Sequence, residues 1–250
     1  MIRSLQKGID TLCLFSKDRP SLTVKEIANS IGVPLATAYR LVTTLRKNGL
    51  IEPDSRTGHY SLGLKLLELS GATHFRMDLE SIAIPFLKKL AKFSDETVQL
   101  NVYDFDKGIC IYVEESTCTL RMAPRRGDVL PLHAGASMQA ILAFLPQEDQ
   151  DRILRGPLKR FTPNTLTNPK DLGKRLVRIR QQGYVVTSEE VYIGSVGIAA
   201  PVFNRDGRVI ASIAVSGPMQ RMTKERKERI RSEIIRTAKM ISEALNSHSV

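Results

Sequence analysis

Between residues 22 and 49 the sequence carries the start and stop signals of two short helices joined by a tight turn. Thr23 precedes Glu26 by three residues, which is the spacing of a capping box at a helix N-terminus. Gly32 ends that helix, and Pro34 can occupy the first turn of the next one, where its missing N–H costs nothing. Gly49 is a typical residue to end this second helix. This pattern favours a helix-turn-helix, whose second helix can enter the major groove of DNA.

Further elements are predicted on both sides of this helix pair. A helix is expected from Leu5 to Ser16, closed by a loop over residues 17–20. After the pair, two short segments that flank a turn over residues 54–58 are typical of a β-hairpin. A hairpin in this place would be a wing, which can reach the DNA backbone or the minor groove.

The second helix of the pair has a polar face that suits DNA contact. We expect Leu41, Val42 and Leu45 to face the core. Hydroxyls and a phenol can reach base edges or phosphates, and Arg40 can make paired hydrogen bonds to guanine or phosphate. A plain solvated face explains this helix equally well, and His59 could be an ordinary exposed residue. The candidate DNA-binding residues are Ala36, Thr37, Tyr39, Arg40, Thr43 and Thr44 in the helix and Arg56, Thr57 and His59 in the wing.

The net charge favours an anionic partner without naming it. The 250-residue chain has 37 Lys and Arg against 26 Asp and Glu, a formal charge of +11, and neutralised phosphates would release counterions. Residues 1–75 hold only +4 of this excess, because they carry ten Lys and Arg and six Asp and Glu. Much of the remainder lies between Lys224 and Lys239, where isoleucines at helical spacing predict an amphipathic helix with a charged outer face.

Metal sites, disulfide frameworks, cofactors and membrane spans are not indicated. Cys13, Cys110 and Cys118 lack C-x-x-C spacing and a partnering histidine cluster. The N-terminus has no apolar signal core, and no window approaches the roughly 18 consecutive apolar residues that a membrane helix needs. We therefore expect a soluble, cytoplasmic protein that needs no cofactor.

The rest of the chain is typical of an α+β domain. We expect a winged helix-turn-helix over residues 1–63, a linker helix over 64–75 and a larger domain over 76–250. Its strands are predicted at 98–102, 109–113, 198–203 and 209–215, each pair joined by a polar turn. The result would be an antiparallel sheet with helices packed on one face. A glycine-rich start to a helix over 134–145 would offer N–H groups that favour an anion in a concave pocket.

Several short motifs follow one another in a characteristic order along the chain. They are Val24-Lys25-Glu26-Ile27-Ala28, Gly32-Val33-Pro34, Thr37 through Arg40-Leu41-Val42, Tyr60-Ser61-Leu62-Gly63, Asp95-Glu96-Thr97-Val98-Gln99-Leu100, Pro131-Leu132-His133-Ala134, Thr162-Pro163-Asn164-Thr165, Gln182-Gly183-Tyr184 and Ala199-Ala200-Pro201-Val202. In this order they resemble the IclR family of bacterial transcription regulators. The resemblance implies a winged helix-turn-helix joined to a GAF-like effector-binding domain. It also implies a homodimer or a tetramer built as a dimer of dimers, and a repressor that binds double-stranded operator DNA and responds to a small organic acid or aromatic metabolite.

The resemblance also implies site residues, with departures from the family pattern. The family's effector-binding positions match Ala136, Ser137, Thr187, Gly197, Ala214 and Ser216. The family often has aspartate at Thr187 and cysteine at Gly197, so we expect a less acidic pocket here. Met138 and Gln139 replace a Gly-Lys pair, and the thioether should fill space that glycine leaves open. Leu35 is a further candidate DNA-binding position, although the family usually has Lys or Arg there and Ser at Ala36.

Other interpretations of the same residues remain open at this point. Ser137, Thr187 and Ser216 could merely satisfy backbone groups beside a packed core. An enzyme could be imagined around His133 and Ser137 with Asp128 or Glu189, but no nucleophile elbow or metal-ligand spacing supports it. A scaffold that binds DNA through net charge alone would show a similar salt dependence on every sequence.

Overall fold

The computed structural model describes residues 2–16, 18–71 and 74–248, and the side chains of residues 70–78 and 248 are outside that description. Contacts divide the chain into two compact units, Met1–Phe75 and Arg76–Val250. The first unit contains α1 (Arg3–Cys13), β1 (Ser21–Leu22), α2 (Val24–Ile31), α3 (Leu35–Lys47), β2 (Ile51–Pro53), β3 (Tyr60–Leu62) and α4 (Lys65–Gly71). Its three strands pair antiparallel in the order β1-β3-β2.

The predicted capping box forms at the start of α2. Thr23 Oγ1 accepts a hydrogen bond from Glu26 N at 3.2 Å, and Glu26 Oε2 accepts one from Thr23 N at 2.8 Å. Gly32 follows α2 in the left-handed conformation, with φ of 63°, which glycine adopts without the steric cost of a Cβ. This turn releases the chain into α3, so the helix-turn-helix prediction is confirmed.

Three details of the first unit differ from the sequence predictions. Helix α1 ends at Cys13 rather than Ser16. The two-residue strand β1, which the sequence did not predict, pairs with the hairpin and gives the wing a third strand. Leu41 was expected in the core but is only half-buried. Ala38 takes the inner place, because the buried stripe of α3 follows Ala38, Val42 and Leu45 at helical spacing and Leu41 lies beside it.

The second unit is a six-stranded antiparallel sheet with helices. Its strand order is β6-β5-β4-β9-β8-β7. The strands are β4 (Thr97–Asp104), β5 (Lys107–Glu114), β6 (Val129–Pro131), β7 (Val185–Ser188), β8 (Ser195–Phe203) and β9 (Val209–Pro218). The helices are α5 (His74–Ser94), α6 (Ala136–Leu142), α7 (Gln147–Arg155), α8 (Pro169–Gln182) and α9 (Lys224–His248), with a 3₁₀ turn at Met219–Arg221. The α+β fold class is confirmed.

Helices cover both faces of this sheet, so the expectation of helices on one face is wrong. Along β9, Ile213 and Val215 belong to the core shared with α5 and α9, whereas Ala214 between them packs into the core beneath α6 and α8. The central strands are thus buried on both sides, and their apolar runs are longer than a half-exposed strand allows. The predicted amphipathic helix is confirmed as α9, which buries Ile230, Ile234, Ala238 and Ile241.

None of the helices in the described ranges is long and apolar enough to cross a membrane.

Candidate functional site

The outer face of α3 presents the residues predicted to contact DNA. Tyr39 is 54% exposed and Leu35 47% exposed. Exposed positions also hold Ala36, Arg40, Thr43 and Thr44, and Thr37 is half-buried. Thr44 Oγ1 donates to Arg40 O within the helix, at 2.9 Å. Arg40 therefore projects from a helix whose opposite side is locked into the core, and its guanidinium is available to an external acceptor.

The wing is closed by hydrogen bonds around Asp54. Its carboxylate accepts the N–H of Arg56 at 2.8 Å, and this bond is the main cause that lowers the pKa of Asp54. Asp54 N donates to His59 O, and Gly58 N donates to Asp54 O. Arg56 and Thr57 lie exposed at the tip, while His59 is half-buried at the base of β3. The tip can present a cation to phosphate, although Asp54 lies 3.9 Å from Arg56 and offsets part of its charge.

The second unit contains a cavity of about 400 Å³ between the sheet and α6. It is lined by Ala136, Ser137, Thr187, Gly197 and Ser216. These residues come from three separate strands and one helix, which the fold brings together. A Cβ on Gly197 would lie 3.2 Å from Ala136 Cβ, so glycine lets α6 approach the strand closely. A cavity of this size suits a small organic molecule.

Ala214 does not line the cavity, and its role in effector binding stays a prediction. It lies two residues before Ser216 on the same side of β9, but it is buried in the core beneath α6. The helix covers the strand at Ala214, and the cavity opens only further along β9. Met138 fills space as expected: a Cβ on Gly108 would lie 1.9 Å from Met138 Sδ, so the thioether packs directly against that strand.

A buried carboxylate stands at the start of α6. Glu190 Oε2 accepts hydrogen bonds from Gln139 Nε2 at 2.6 Å and from Gly135 N at 3.4 Å, and Arg175 lies 3.4 Å from Oε1. Thr165 Oγ1 donates to Glu190 O at 2.6 Å and holds the segment in place. The N–H of Gly135, expected to favour an anionic ligand, therefore already serves a carboxylate of the protein itself.

Two acidic residues, Glu190 and Asp128, also line the cavity. The sequence expectation of a less acidic pocket than the family's concerned only Thr187 and Gly197, and it stays a prediction. Burial raises the pKa of Glu190, and the opposing effects of Arg175 and the hydrogen bonds from Gly135 and Gln139 offset this only in part.

We expect the Glu190→Gln variant to gain stability relative to the unaltered chain as the pH rises. The raised pKa means that folded Glu190 keeps a proton above pH 4.5, the usual value, where the unfolded chain has released it. Its contribution to stability is present below the unfolded pKa and is lost as the pH rises through the folded pKa. Glutamine cannot ionise and loses nothing over this range.

Urea unfolding of both proteins between pH 4.5 and neutrality measures the difference. Glu148→Gln, on the exposed side of α7, is the matched control for removing one carboxylate. A difference between the Glu190→Gln variant and the unaltered chain that stays constant with pH would contradict the assignment.

Three residues of the enzyme interpretation, His133, Asp128 and Glu189, form hydrogen bonds to backbone groups instead of to one another. His133 Nε2 lies 2.9 Å from Lys159 O, and burial lowers the pKa of His133. Asp128 accepts the N–H of Arg125, and Glu189 accepts the N–H of Gly194. Within the described part of the chain, no group of three or more His, Cys, Asp or Glu residues is arranged to hold a metal ion.

Three further residues line the cavity that were not predicted as site residues: Gln99, Asn101 and Glu190. The strand pattern could have indicated the first two. Gln99 and Asn101 alternate with Val98, Leu100 and Val102 in β4, so they share the face opposite the larger core. Glu190 gives no such signal, because it lies in a loop and reaches α6 only through the folded chain.

Comparison with known proteins assigns both units to one family. Residues 72–243 match the C-terminal domain of the bacterial transcriptional regulator IclR, and residues 4–55 match the IclR helix-turn-helix domain. The chain is 35% identical over 245 residues to the HTH-type transcriptional repressor AllR of Salmonella typhi, a match that covers 97% of this chain and 90% of that protein.

Solved structures show the same fold over nearly the whole chain. The Thermotoga maritima IclR is 30% identical, with a TM-score of 0.74, and the match covers 98% of this chain and 99% of that one. An IclR homolog from Microbacterium hydrocarbonoxydans, complexed with 4-hydroxybenzoate, is 26% identical with a TM-score of 0.85, over 97% of this chain and 98% of that one. These relatives are regulators, which excludes the enzyme interpretation. The chain therefore belongs to the IclR family of bacterial transcriptional regulators.

Proposed function

We propose that this regulator represses transcription by binding operator DNA and that a small organic molecule in the cavity beside α6 changes that binding. The observation that carries the proposal is the presence of two sites in one chain, an exposed polar face on α3 and a ligand-sized cavity in the second unit. We assign DNA binding to residues 1–63, a linking role to 64–75, and effector binding and oligomerisation to 76–250. Because the target is chromosomal DNA, we place its action in the cytoplasm.

A two-fold assembly is expected because each chain has one recognition helix. One such helix covers a half-site, and two half-sites one helical turn apart match a two-fold dimer. Exposed apolar side chains are available for assembly on α1 and at α4. They are Ile2, Leu5, Ile9, Leu64, Leu67 and Leu69. We propose a homodimer that can pair into a tetramer.

The Arg40→Ala variant is expected to bind operator DNA more weakly by about 1–3 kcal/mol, roughly 5- to 150-fold in Kd, because a bidentate arginine–guanine pair is worth that much. Fluorescence anisotropy with DNA from upstream of the chain's own gene measures the affinity. The same titration gives the number of protomers per site, for which the proposal requires an even value.

Arg205→Ala is the matched control for this experiment. Arg205 is an exposed arginine in the turn between β8 and β9, so its removal changes the net charge equally without touching α3. Unchanged affinity in the Arg40→Ala variant would remove Arg40 from the DNA contact. An equal loss in both variants would indicate a non-specific charge effect.

The effector is proposed to be small and organic, and a neighbour in structure supports this class. The Microbacterium hydrocarbonoxydans homolog holds 4-hydroxybenzoate, and the cavity of this chain, with a floor of hydroxyl and carboxamide groups, can take a molecule of similar size. A ligand controls DNA binding only if it favours one conformational state over another. The effector must therefore change operator affinity as well as thermal stability.

A further inference from the structure

Asn101 lies on the floor of the cavity and has an unused hydrogen-bond donor. It sits at an irregularity in the pairing of β4 with β5, opposite Cys110 and opposite Ser212 of β9. The side chain is 1% exposed and lines the cavity. Its Nδ2 has no hydrogen-bond acceptor among the described residues. A buried amide donor without an acceptor is costly, so a structure tolerates it where a ligand supplies the acceptor.

The polar groups around Asn101 have partners of their own. Gln99 Nε2 donates to Ser216 Oγ at 3.1 Å, and Ser212 Oγ donates to Ser137 O at 2.8 Å. Because Ser216 Oγ accepts from Gln99, its own proton is free to point towards the cavity. Ser216 lies four residues further along β9 than Ser212, the residue opposite Asn101, so the two donors serve different parts of the floor. Asn101 Nδ2 is the buried donor that an accepting oxygen of a ligand would satisfy.

The charged groups that line the cavity indicate whether the accepting oxygen of the ligand belongs to a neutral or a charged group. The lining includes the carboxylates Asp128 and Glu190, and it contains no Lys, Arg or His among the described residues. Arg175, which pairs with Glu190, is not part of the lining. A carboxylate ligand would lose its hydration without gaining a cation and would meet the carboxylate of Asp128. An uncharged carbonyl oxygen needs only the donors.

We propose that the pocket selects an uncharged molecule whose carbonyl or carboxamide oxygen accepts a hydrogen bond from Asn101 Nδ2. Asn101 is then the residue that determines specificity for a neutral carbonyl group over a carboxylate. This inference rests on the proposed effector role of the cavity. It replaces the organic-acid part of the sequence expectation with a neutral compound.

Matched pairs of carboxamides and carboxylates test the inference on the full-length protein. The probes are 4-hydroxybenzamide with 4-hydroxybenzoate, and propanamide with propanoate, titrated by calorimetry up to millimolar concentration. We expect a carboxamide to bind about tenfold more tightly than its carboxylate partner. Asn101→Asp keeps the size of the side chain and removes its donor, and we expect it to weaken carboxamide binding about tenfold.

Two further variants separate ligand contact from structural effects. Asn101→Leu should also lose carboxamide binding, yet its thermal stability without ligand should equal or exceed that of the unaltered chain, because it removes an unpaired buried amide. Asn29→Asp, which makes the same chemical change at an exposed position of α2 outside the cavity lining, should leave binding unchanged. Tighter binding of the carboxylates, full binding by Asn101→Asp, or no binding of any probe would overturn the inference.

Operator affinity measured with and without each probe distinguishes this inference from the proposed function. A carboxamide that binds through Asn101 without changing operator affinity would support the inference and contradict effector control. A carboxylate that binds more tightly and changes operator affinity would contradict the inference and support effector control.

Discussion

The Arg221→Met variant is expected to lower the free energy of unfolding by about 3–5 kcal/mol, because it leaves a buried carboxylate without its main partner. Glu96 is 0% exposed. Its two oxygens accept from Arg221 Nε at 2.8 Å and Arg221 Nη2 at 2.6 Å, in a bidentate arrangement. Arg226 lies further away, at 3.4 Å, and also donates to Ser94 O. It is therefore a poor substitute for the bidentate pair.

The same arginine also holds a segment next to the cavity. Arg221 Nη1 donates to Leu120 O at 2.8 Å, and Thr97 Oγ1 donates to Met122 O at 2.7 Å. Met122 lines the cavity. The variant should consequently weaken ligand binding as well as global stability, since a hydrogen bond that anchors this segment is lost.

Urea unfolding measures the effect of the Arg221→Met change. Arg152→Met is the matched control, because it removes an arginine whose partner, Asp149, forms an exposed ion pair with it on α7. An exposed pair of this kind contributes little to stability. If both variants unfolded at the same urea concentration, the pair of Glu96 with Arg221 would contribute no more to the free energy of unfolding than an exposed pair.

Ile27→Ala in α2 is expected to destabilise the first unit by about 2–5 kcal/mol, because it deletes a buried branched side chain and leaves a cavity. Ile27 is 0% exposed and belongs to the core that also contains Ala38, Val42 and Leu45 of α3. These contacts hold α3 against α2. Operator affinity should fall with stability, since the exposed face of α3 is positioned by this core.

Hydrogen exchange resolves where the Ile27→Ala effect occurs. Amides of α2 and α3 should exchange faster, whereas those of β4, β8 and β9 should keep their protection. Ile31→Ala, at the half-buried end of the same helix, is the control and should show a smaller effect. Equal protection of α2 and α3 in the Ile27→Ala variant and the unaltered chain would contradict the prediction.

Local signals in the sequence were sufficient for the helix-turn-helix. Thr23, Glu26 and Gly32 act within a few residues of one another, and their capping bonds and left-handed turn are present. The side chains of α3 were harder to place. Leu41 was predicted in the core from its hydrophobicity, but the packing of the first unit buries the smaller Ala38 instead.

Prediction of the pocket was less complete, for a physical reason. Ser216 and Ala214 lie on the same side of β9, and only the position of α6 decides that one lines the cavity and the other is core. The alternation of β4 indicated that Gln99 and Asn101 share a face, but the strand pattern could not show that this face is also covered by helices.

The sequence by itself determined the helix-turn-helix and the α+β class, since capping, turn chemistry and hydrophobic periodicity act over a few residues, and its ordered motifs carried the resemblance to the family. Tertiary structure decided which groups meet. Glu190 reaches Gly135 across 55 residues, and Arg221 reaches Glu96 across 125. Partnerships of this kind depend on sheet order and helix packing, which bring distant residues within hydrogen-bond distance and which no local pattern encodes.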